Sequence, residues 1–242
     1  LYVAEDDFWK IASYATEKDR MGKAFVRAGI KEGDMVTNYL GKQVKYGDDF
    51  LKNEAADIVR NNIPNYDYVS DFVKGLRKWP VGNFVSFPAE IMRTSTNIVR
   101  RALRDINYTL PNGATPLKRL GYQRLVGMGL TTAAVPAGVT AGAQMVYDVT
   151  KDEMDALRRY VADWSKNSTL IPIRDKETGD LKYIDFSHAN AYDTLVRPFQ
   201  AVLTNVAAGN QDQDGMMDDF MLGVMEAVKE TASPFVDEAI FT

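Results

Sequence analysis

Cysteine is absent from this chain of 242 residues, and histidine occurs once, at His188. The absence of cysteine excludes disulfide bonds, thiol catalysis and metal centres held by thiolates, and a single histidine excludes metal motifs that need two imidazoles. His188 follows Ser187 and lies near Asp185, but adjacency in sequence does not supply the geometry that defines a catalytic triad. A phosphate-binding loop and a dinucleotide fingerprint are also missing. The sequence therefore predicts no catalytic, cofactor-binding or metal-binding residues.

One acidic loop has the start of a calcium-binding pattern. Asn210, Asp212 and Asp214 alternate ahead of Gly215, which places oxygen ligands as an EF-hand loop places them. The loop then needs a bidentate glutamate, and Met221 occupies that position. Because the ring of ligands is incomplete, we interpret this loop as a polar entry into a helix.

Charged residues are missing from a long internal run. Residues 125–147 carry no formal charge, and Arg124 and Asp148 flank them. As a helix, this run is long enough to cross a bilayer core, which needs about 20 residues. Threonines dilute its hydrophobicity, and Pro136 removes a backbone hydrogen bond near its middle. We therefore favour a buried helix over a membrane or helix-packing segment, and keep the second interpretation open.

The second interpretation rests on small residues in this run. Ala134, Gly138 and Gly142 recur at four-residue spacing, so that they share one face of a helix. Such a face lets two helices approach closely. If residues 125–147 pack against a partner helix or enter a membrane, these three residues are the candidates for that contact.

Basic and acidic residues are unevenly distributed, although the net charge is only −4. Residues 93–124 hold seven basic residues and one acid, whereas residues 205–242 hold eight acids and one lysine. Helical periodicity after Pro88 predicts an amphipathic helix with a cationic outer face. A solvated surface is the favoured interpretation, and contact with nucleic acid or an acidic partner is the alternative. The candidates for that contact are Arg93, Arg100, Arg101 and Arg104.

Apolar periodicity predicts a mainly α fold, an irregular multi-helix domain with one β-hairpin at about 169–187. Asp48 and Asp49 are expected to cap one helix, and Thr150 with Glu153 forms a capping box for another. We expect three parts: a helical part over 1–108, the small-residue apolar helix over 117–148, and a part over 150–242 with a helix, the hairpin and C-terminal helices.

Several short stretches together resemble a known family. They are Asp7-Phe8-Trp9-Lys10, Ile63-Pro64-Asn65-Tyr66, Gly82-Asn83-Phe84, Phe87-Pro88-Ala89-Glu90 with Arg93-Thr94, Trp164-Ser165-Lys166-Asn167-Ser168, and Tyr183-Ile184-Asp185-Phe186-Ser187 with Tyr192-Asp193. Their order is similar to that in the large polyvalent protein-associated domains of podophage internal virion proteins. Some proteins of this family carry a virion-encapsidated RNA polymerase or a lytic transglycosylase elsewhere in the polypeptide.

The resemblance implies a structural role in genome ejection. The protein would lie inside the capsid, contact the portal protein and other ejection proteins, and form a homo-oligomer there. Packaged DNA is a further possible partner, as is the host envelope after delivery to the periplasm, envelope or cytoplasm. We expect the chain to be a fragment of a much longer protein, since it begins with Leu1. The alternatives are an accessory, non-catalytic region of the polymerase or transglycosylase, and a DNA-binding module.

Overall fold

The computed structural model describes residues 2–64, 82–162, 168–186, 193–210 and 212–226. Over these residues the chain is mainly α, as predicted. It divides into two compact units, Leu1–Val126 and Gly127–Thr242. The division falls inside the segment 117–148 that the sequence sets apart.

The first unit is built from helices and one short hairpin. Its core is a continuous group of buried apolar side chains that extends from Met21 to Leu120 and includes Phe25 and Phe50. Its described elements are α1 (Tyr2–Arg27), β1 (Met35–Thr37), β2 (Gln43–Lys45), α2 (Asp48–Asn62), α3 (Gly82–Asn107) and α4 (Lys118–Gly129).

Aromatic rings meet at the centre of this core around Phe25. Its ring lies 5.4 Å from that of Phe50 and 6.0 Å from that of Tyr108, both in edge-to-face contact. The Tyr108 hydroxyl accepts a hydrogen bond from the backbone N–H of Thr37 and donates one to the carbonyl of the same residue. Tyr108, which directly follows α3, therefore joins this helix to the β1–β2 hairpin through its hydroxyl group.

The β1–β2 hairpin is absent from the sequence prediction. Its strands pair antiparallel with Val36 opposite Val44, and each has only three residues. Alternation of apolar and polar residues needs a longer run before it becomes visible. The residues between the strands are a clearer sign of a turn. The Asn38 side chain accepts backbone hydrogen bonds from Leu40 and Lys42, and Gly41 has φ 74°.

Helix α2 is confirmed, but its predicted cap is wrong. The helix begins at Asp48, and Gly47 is the N-cap without a side-chain cap hydrogen bond. Asp48 and Asp49 lie in the first turn, where their charges interact favourably with the helix dipole. Asp48 also pairs with Lys18 at 2.5 Å. Asp48 and Asp49 therefore stabilise the first turn of α2 through their charge, and neither residue is its N-cap.

The second unit contains the predicted hairpin. Strands β3 (Leu170–Arg174) and β4 (Leu181–Asp185) pair antiparallel, with Leu170 opposite Asp185 and Arg174 opposite Leu181, and Gly179 at φ 76° closes the loop between them. The other described elements of this unit are the π turn Leu130–Ala134, α5 (Val135–Val146), α6 (Lys151–Tyr160), the 3₁₀ turn Asp193–Leu195, α7 (Val196–Ala207) and α8 (213–226).

The capping box that opens α6 is confirmed. The Thr150 hydroxyl accepts from the Glu153 N–H at 3.2 Å, and the Glu153 carboxylate accepts from the Thr150 N–H at 2.9 Å. That backbone hydrogen bond and one from Arg174 lower the pKa of Glu153 to about 2. Arg174 also donates to the carbonyls of Tyr147 and Asp148. The hairpin is therefore bound to the end of α5 and the start of α6.

Helices α3 and α4 touch so closely that one position must lack a side chain. A Cβ placed on Gly121 would lie 2.5 Å from the carbonyl oxygen of Ala102 and 2.8 Å from the backbone nitrogen of Ile106. Backbone atoms cannot yield as a flexible side chain can. Gly127, in the same helix, has no atom within 4 Å of that position.

We predict that Gly121→Ala lowers the free energy of unfolding by about 1–3 kcal/mol, the usual cost of overpacking, although alanine is the better helix former. Gly127→Ala is the matched control, and it should leave stability unchanged or raise it by up to about 1 kcal/mol. Urea unfolding of both variants measures the difference. Equal effects of the two substitutions would contradict the close helix contact.

Candidate interaction surfaces

Helix α3 does not present the predicted cationic face, because Arg101 points into the first unit. Its side chain is only 6% exposed. The guanidinium donates to Asp105 at 2.8 Å and to Glu54 at 2.9 Å, and both carboxylates are buried. Arg101 is therefore neutralised inside the fold, and its assignment to an outer surface is wrong.

Two further arginines complete this buried ion network. Arg124 donates to Asp105 at 3.0 Å and binds both carboxylate oxygens of Glu17, at 2.9 and 2.5 Å. Arg104 donates to Glu54 at 3.2 Å and to the carbonyl of Tyr39 at 2.8 Å. We use the name buried ion network for these charged side chains of α1, α2, α3 and α4: Glu17, Glu54, Arg101, Arg104, Asp105 and Arg124.

The two remaining arginines of the predicted face differ from each other. Arg93 makes a two-pronged contact with the buried Glu90, at 2.8 and 2.5 Å, and donates to the carbonyl of Ile63. Arg100 is exposed and donates to the Asn97 side chain at 3.3 Å. Of the four candidates for contact with nucleic acid or an acidic partner, Arg100 is exposed, Arg93 and Arg104 are half-buried, and Arg101 is buried.

Burial and pairing act against each other on the pKa values in this network. Burial raises the pKa of Glu17, but hydrogen bonds and positive charge from Arg124, with the charges of Arg20 and Arg101, hold it below its ordinary 4.5. Burial alone would lower the pKa of Arg124, whereas Glu17 and Asp105 raise it above its ordinary value. Pairing therefore favours the charged forms of Glu17 and Arg124, whereas burial and the charge of Arg101 lower the pKa of Arg104.

We predict that Asp105→Asn lowers the free energy of unfolding by about 3–5 kcal/mol, because Arg101 and Arg124 would each lose one of two buried counter-charges, and the network would be left with three arginines and two acids. The matched control is Asp19→Asn, which removes an exposed pair with Lys23 and should cost less than about 1 kcal/mol. Urea unfolding at neutral pH measures both. A loss at Asp105 no larger than that at Asp19 would show that the network adds nothing beyond surface pairing.

A second prediction concerns the pH dependence of stability. Since the pKa of Glu17 is lower in the folded state than in the unfolded chain, its contribution is present above about pH 4.5 and is lost as the pH falls through the folded-state pKa. Glu17→Gln should therefore destabilise the chain at pH 7 and make a smaller difference at about pH 3. The measurement is urea unfolding at both pH values. A pH-independent difference would mean that the Glu17 charge is not involved.

The small-residue helix has its own exposed surface. Ala134, Gly138 and Gly142 are all exposed, and a Cβ on either glycine would meet no atom within 4 Å. Larger apolar side chains extend this surface: Leu130 and Val135 are 58% exposed, Met145 85% and Val146 77%. We name the surface formed by these side chains of the π turn and α5 the uncharged face.

The opposite side of the same helix is packed. The Thr140 hydroxyl donates to the carbonyl of Leu170 in β3 at 3.1 Å, and Thr132 and Pro136 are buried. Within the described residues, the helix Lys118–Val146 is the one long and apolar enough to cross a membrane, by length and composition only, and 22% of its most apolar window is buried. The favoured interpretation of 125–147 as a buried helix is therefore wrong for most of its surface.

The acidic loop before α8 is a helix start. The Asp212 carboxylate accepts a hydrogen bond from the Gly215 N–H at 3.0 Å, and the Asn210 side chain accepts one from the Asp212 N–H. Within the described ranges, no group of three or more potential metal ligands of the His, Cys, Asp and Glu types occurs. Ser187 and His188 lie outside these ranges, as do the motif residues 65–66, 164–167 and 192.

A shallow groove runs along α1 and is lined by Tyr14, Lys18, Lys23 and Leu51, among others. Its lysines are already paired, Lys18 with Asp48 and Lys23 with Asp19. The groove therefore offers a ligand little charge beyond that of the exposed Arg27, which also lines it. The uncharged face is the better candidate for contact with another molecule.

No protein-family model, curated protein or solved structure matches this chain. The resemblance to podophage virion proteins therefore remains a prediction from the quoted motifs.

Proposed function

We propose that this chain is a structural and interaction module of a podophage internal virion ejection protein. It would dock near the portal inside the capsid, aid genome ejection, and contact neighbouring ejection proteins through the uncharged face. After delivery, the same face would contact the host envelope as part of a conduit. The observation that carries the proposal is that an exposed helical surface without charge extends along the π turn and α5.

The character of this face supports contact with another macromolecule. Large contiguous apolar surfaces are uncommon on monomeric soluble proteins and commonly mark contacts with proteins or membranes. Exposed glycines at positions 138 and 142 add room for the backbone of a partner helix. Because the face offers no charge, its contacts depend on shape and on exclusion of water.

The arginines of α3 favour this role over binding of DNA. Nucleic-acid affinity arises largely from cations that neutralise phosphates and release counterions. Arg101 and Arg104 instead neutralise Glu54, and Arg93 neutralises Glu90. These side chains are committed to the fold, which leaves Arg100, Lys118 and Arg119 as the exposed basic residues of the stretch 93–124.

Two double variants separate the possible partners of the uncharged face. Gly138→Asp with Gly142→Asp adds charge, which opposes both helix packing and insertion into lipid. Gly138→Leu with Gly142→Leu adds bulk without charge, which prevents close helix packing but strengthens partition into lipid. We expect the Asp pair to abolish assembly with the portal and other ejection proteins, and the Leu pair to abolish it as well. Incorporation into particles in vivo measures assembly.

Flotation with liposomes supplies the second measurement. If the face also contacts the envelope, the Leu pair floats at least as well as the parent chain and the Asp pair does not. As a control, Ala201→Asp with Thr204→Asp adds the same charge to exposed positions of α7 and should change neither result. Normal incorporation of both glycine variants would contradict the proposed interaction. Loss of polymerase or transglycosylase turnover on deletion of this region would instead support an accessory role.

A further inference from the structure

The helix Lys118–Val146 contains a turn of a different kind near its middle. Residues Leu130–Ala134 form a π-helix, in which the N–H of Val135 donates to the carbonyl of Leu130, five residues earlier. π turns inside α-helices are rare and often coincide with functional sites. Pro136 lies two residues after the end of this turn, within the first turn of α5, and accounts for the irregularity.

Pro136 prevents regular α-helical bonding at this point. It has no N–H to donate to the carbonyl of Thr132, and a proline ring clashes with the carbonyl four residues before it. A π turn widens the helix and relieves that clash. The hydroxyl of Thr132 donates to the carbonyl of Met128 at 2.9 Å, and that of Thr131 to the carbonyl of Gly127 at 3.1 Å. Such bonds compete with the backbone ladder and often bend helices.

Packing holds the helix on either side of this turn. A Cβ on Gly129 would lie 3.2 Å from the Phe199 ring of α7, and Thr140 bonds to Leu170 of β3. Between these two contacts, Thr132 and Pro136 are buried on the packed side of the helix, and the irregular backbone hydrogen bonding is confined to this stretch. The boundary between the two compact units, at Val126 and Gly127, lies just before this stretch.

We infer that residues 130–136 form a hinge built into the helix, at which the backbone opens more readily than in the turns before and after it. A hinge of this kind lets the helix change direction while the packed segments beside it stay folded. The inference concerns the backbone alone and does not depend on the proposed function. It predicts a local minimum of protection against amide hydrogen exchange.

Hydrogen exchange of the whole chain, followed by mass spectrometry, tests the inference. In the parent chain, peptides covering 130–137 should exchange about tenfold faster than those covering 118–126 and 138–146. In Pro136→Ala, residue 136 gains an N–H for the carbonyl of Thr132, and exchange over 130–137 should slow about tenfold toward that of its neighbours.

Pro198→Ala is the matched control. Pro198 is also buried, but it lies in the first turn of α7, where a backbone N–H has no helical partner to regain. This variant should leave exchange over 130–137 unchanged. Uniform amide exchange along this helix in the parent chain would overturn the inference of a hinge. So would a Pro136→Ala variant in which residues 130–137 exchange as fast as in the parent. If Pro136→Ala does not fold, the exchange profile of the parent chain is by itself the test of the hinge.

Discussion

Asp105 is the residue on which the first unit depends most heavily, since two buried arginines share its carboxylate. Arg101 binds one oxygen and Arg124 the other, and these arginines continue to Glu54 and Glu17. Three acids and three arginines thereby connect α1, α2, α3 and α4. A buried charge is costly unless it is paired, so arrangements of these helices that separate the partners are disfavoured. The observed arrangement pairs all six charges of the network.

The sequence predicted the helices and strands of the fold better than the contacts between them. Helical periodicity was sufficient for the long helices, and alternation with a glycine loop was sufficient for β3 and β4, because these signals are local. The spacing of Arg101 and Asp105, four residues apart on one helix, was a visible sign of pairing. The contacts with Glu54 and Glu17 were not visible, since they join positions 47 and 107 residues apart. A helical wheel sorts residues by polarity, and it places a buried arginine on the same arc as a solvated one.

Two glycines of the helix Lys118–Val146 show the same limit of prediction from local sequence. Gly121 and Gly138 look alike in sequence, and each lies in a helix where glycine is unfavourable. Gly121 lies against the backbone of α3, and Gly138 faces open space. The sequence predicted a small-residue face at Ala134, Gly138 and Gly142, but not that the opposite side of the helix would be the packed one. Which face of a helix is covered depends on the other elements, here β3 at Leu170.

The two properties of the central helix follow from different residues. Its uncharged face results from the small and apolar side chains of the π turn and α5, whereas its irregular backbone results from Pro136. A straight α-helix would carry the same side chains, so the contact surface does not require the π turn. Conversely, a polar helix with a proline at position 136 would still widen there. Their combination in one segment means that any change of direction at residues 130–136 would also turn the part of the uncharged face that α5 carries.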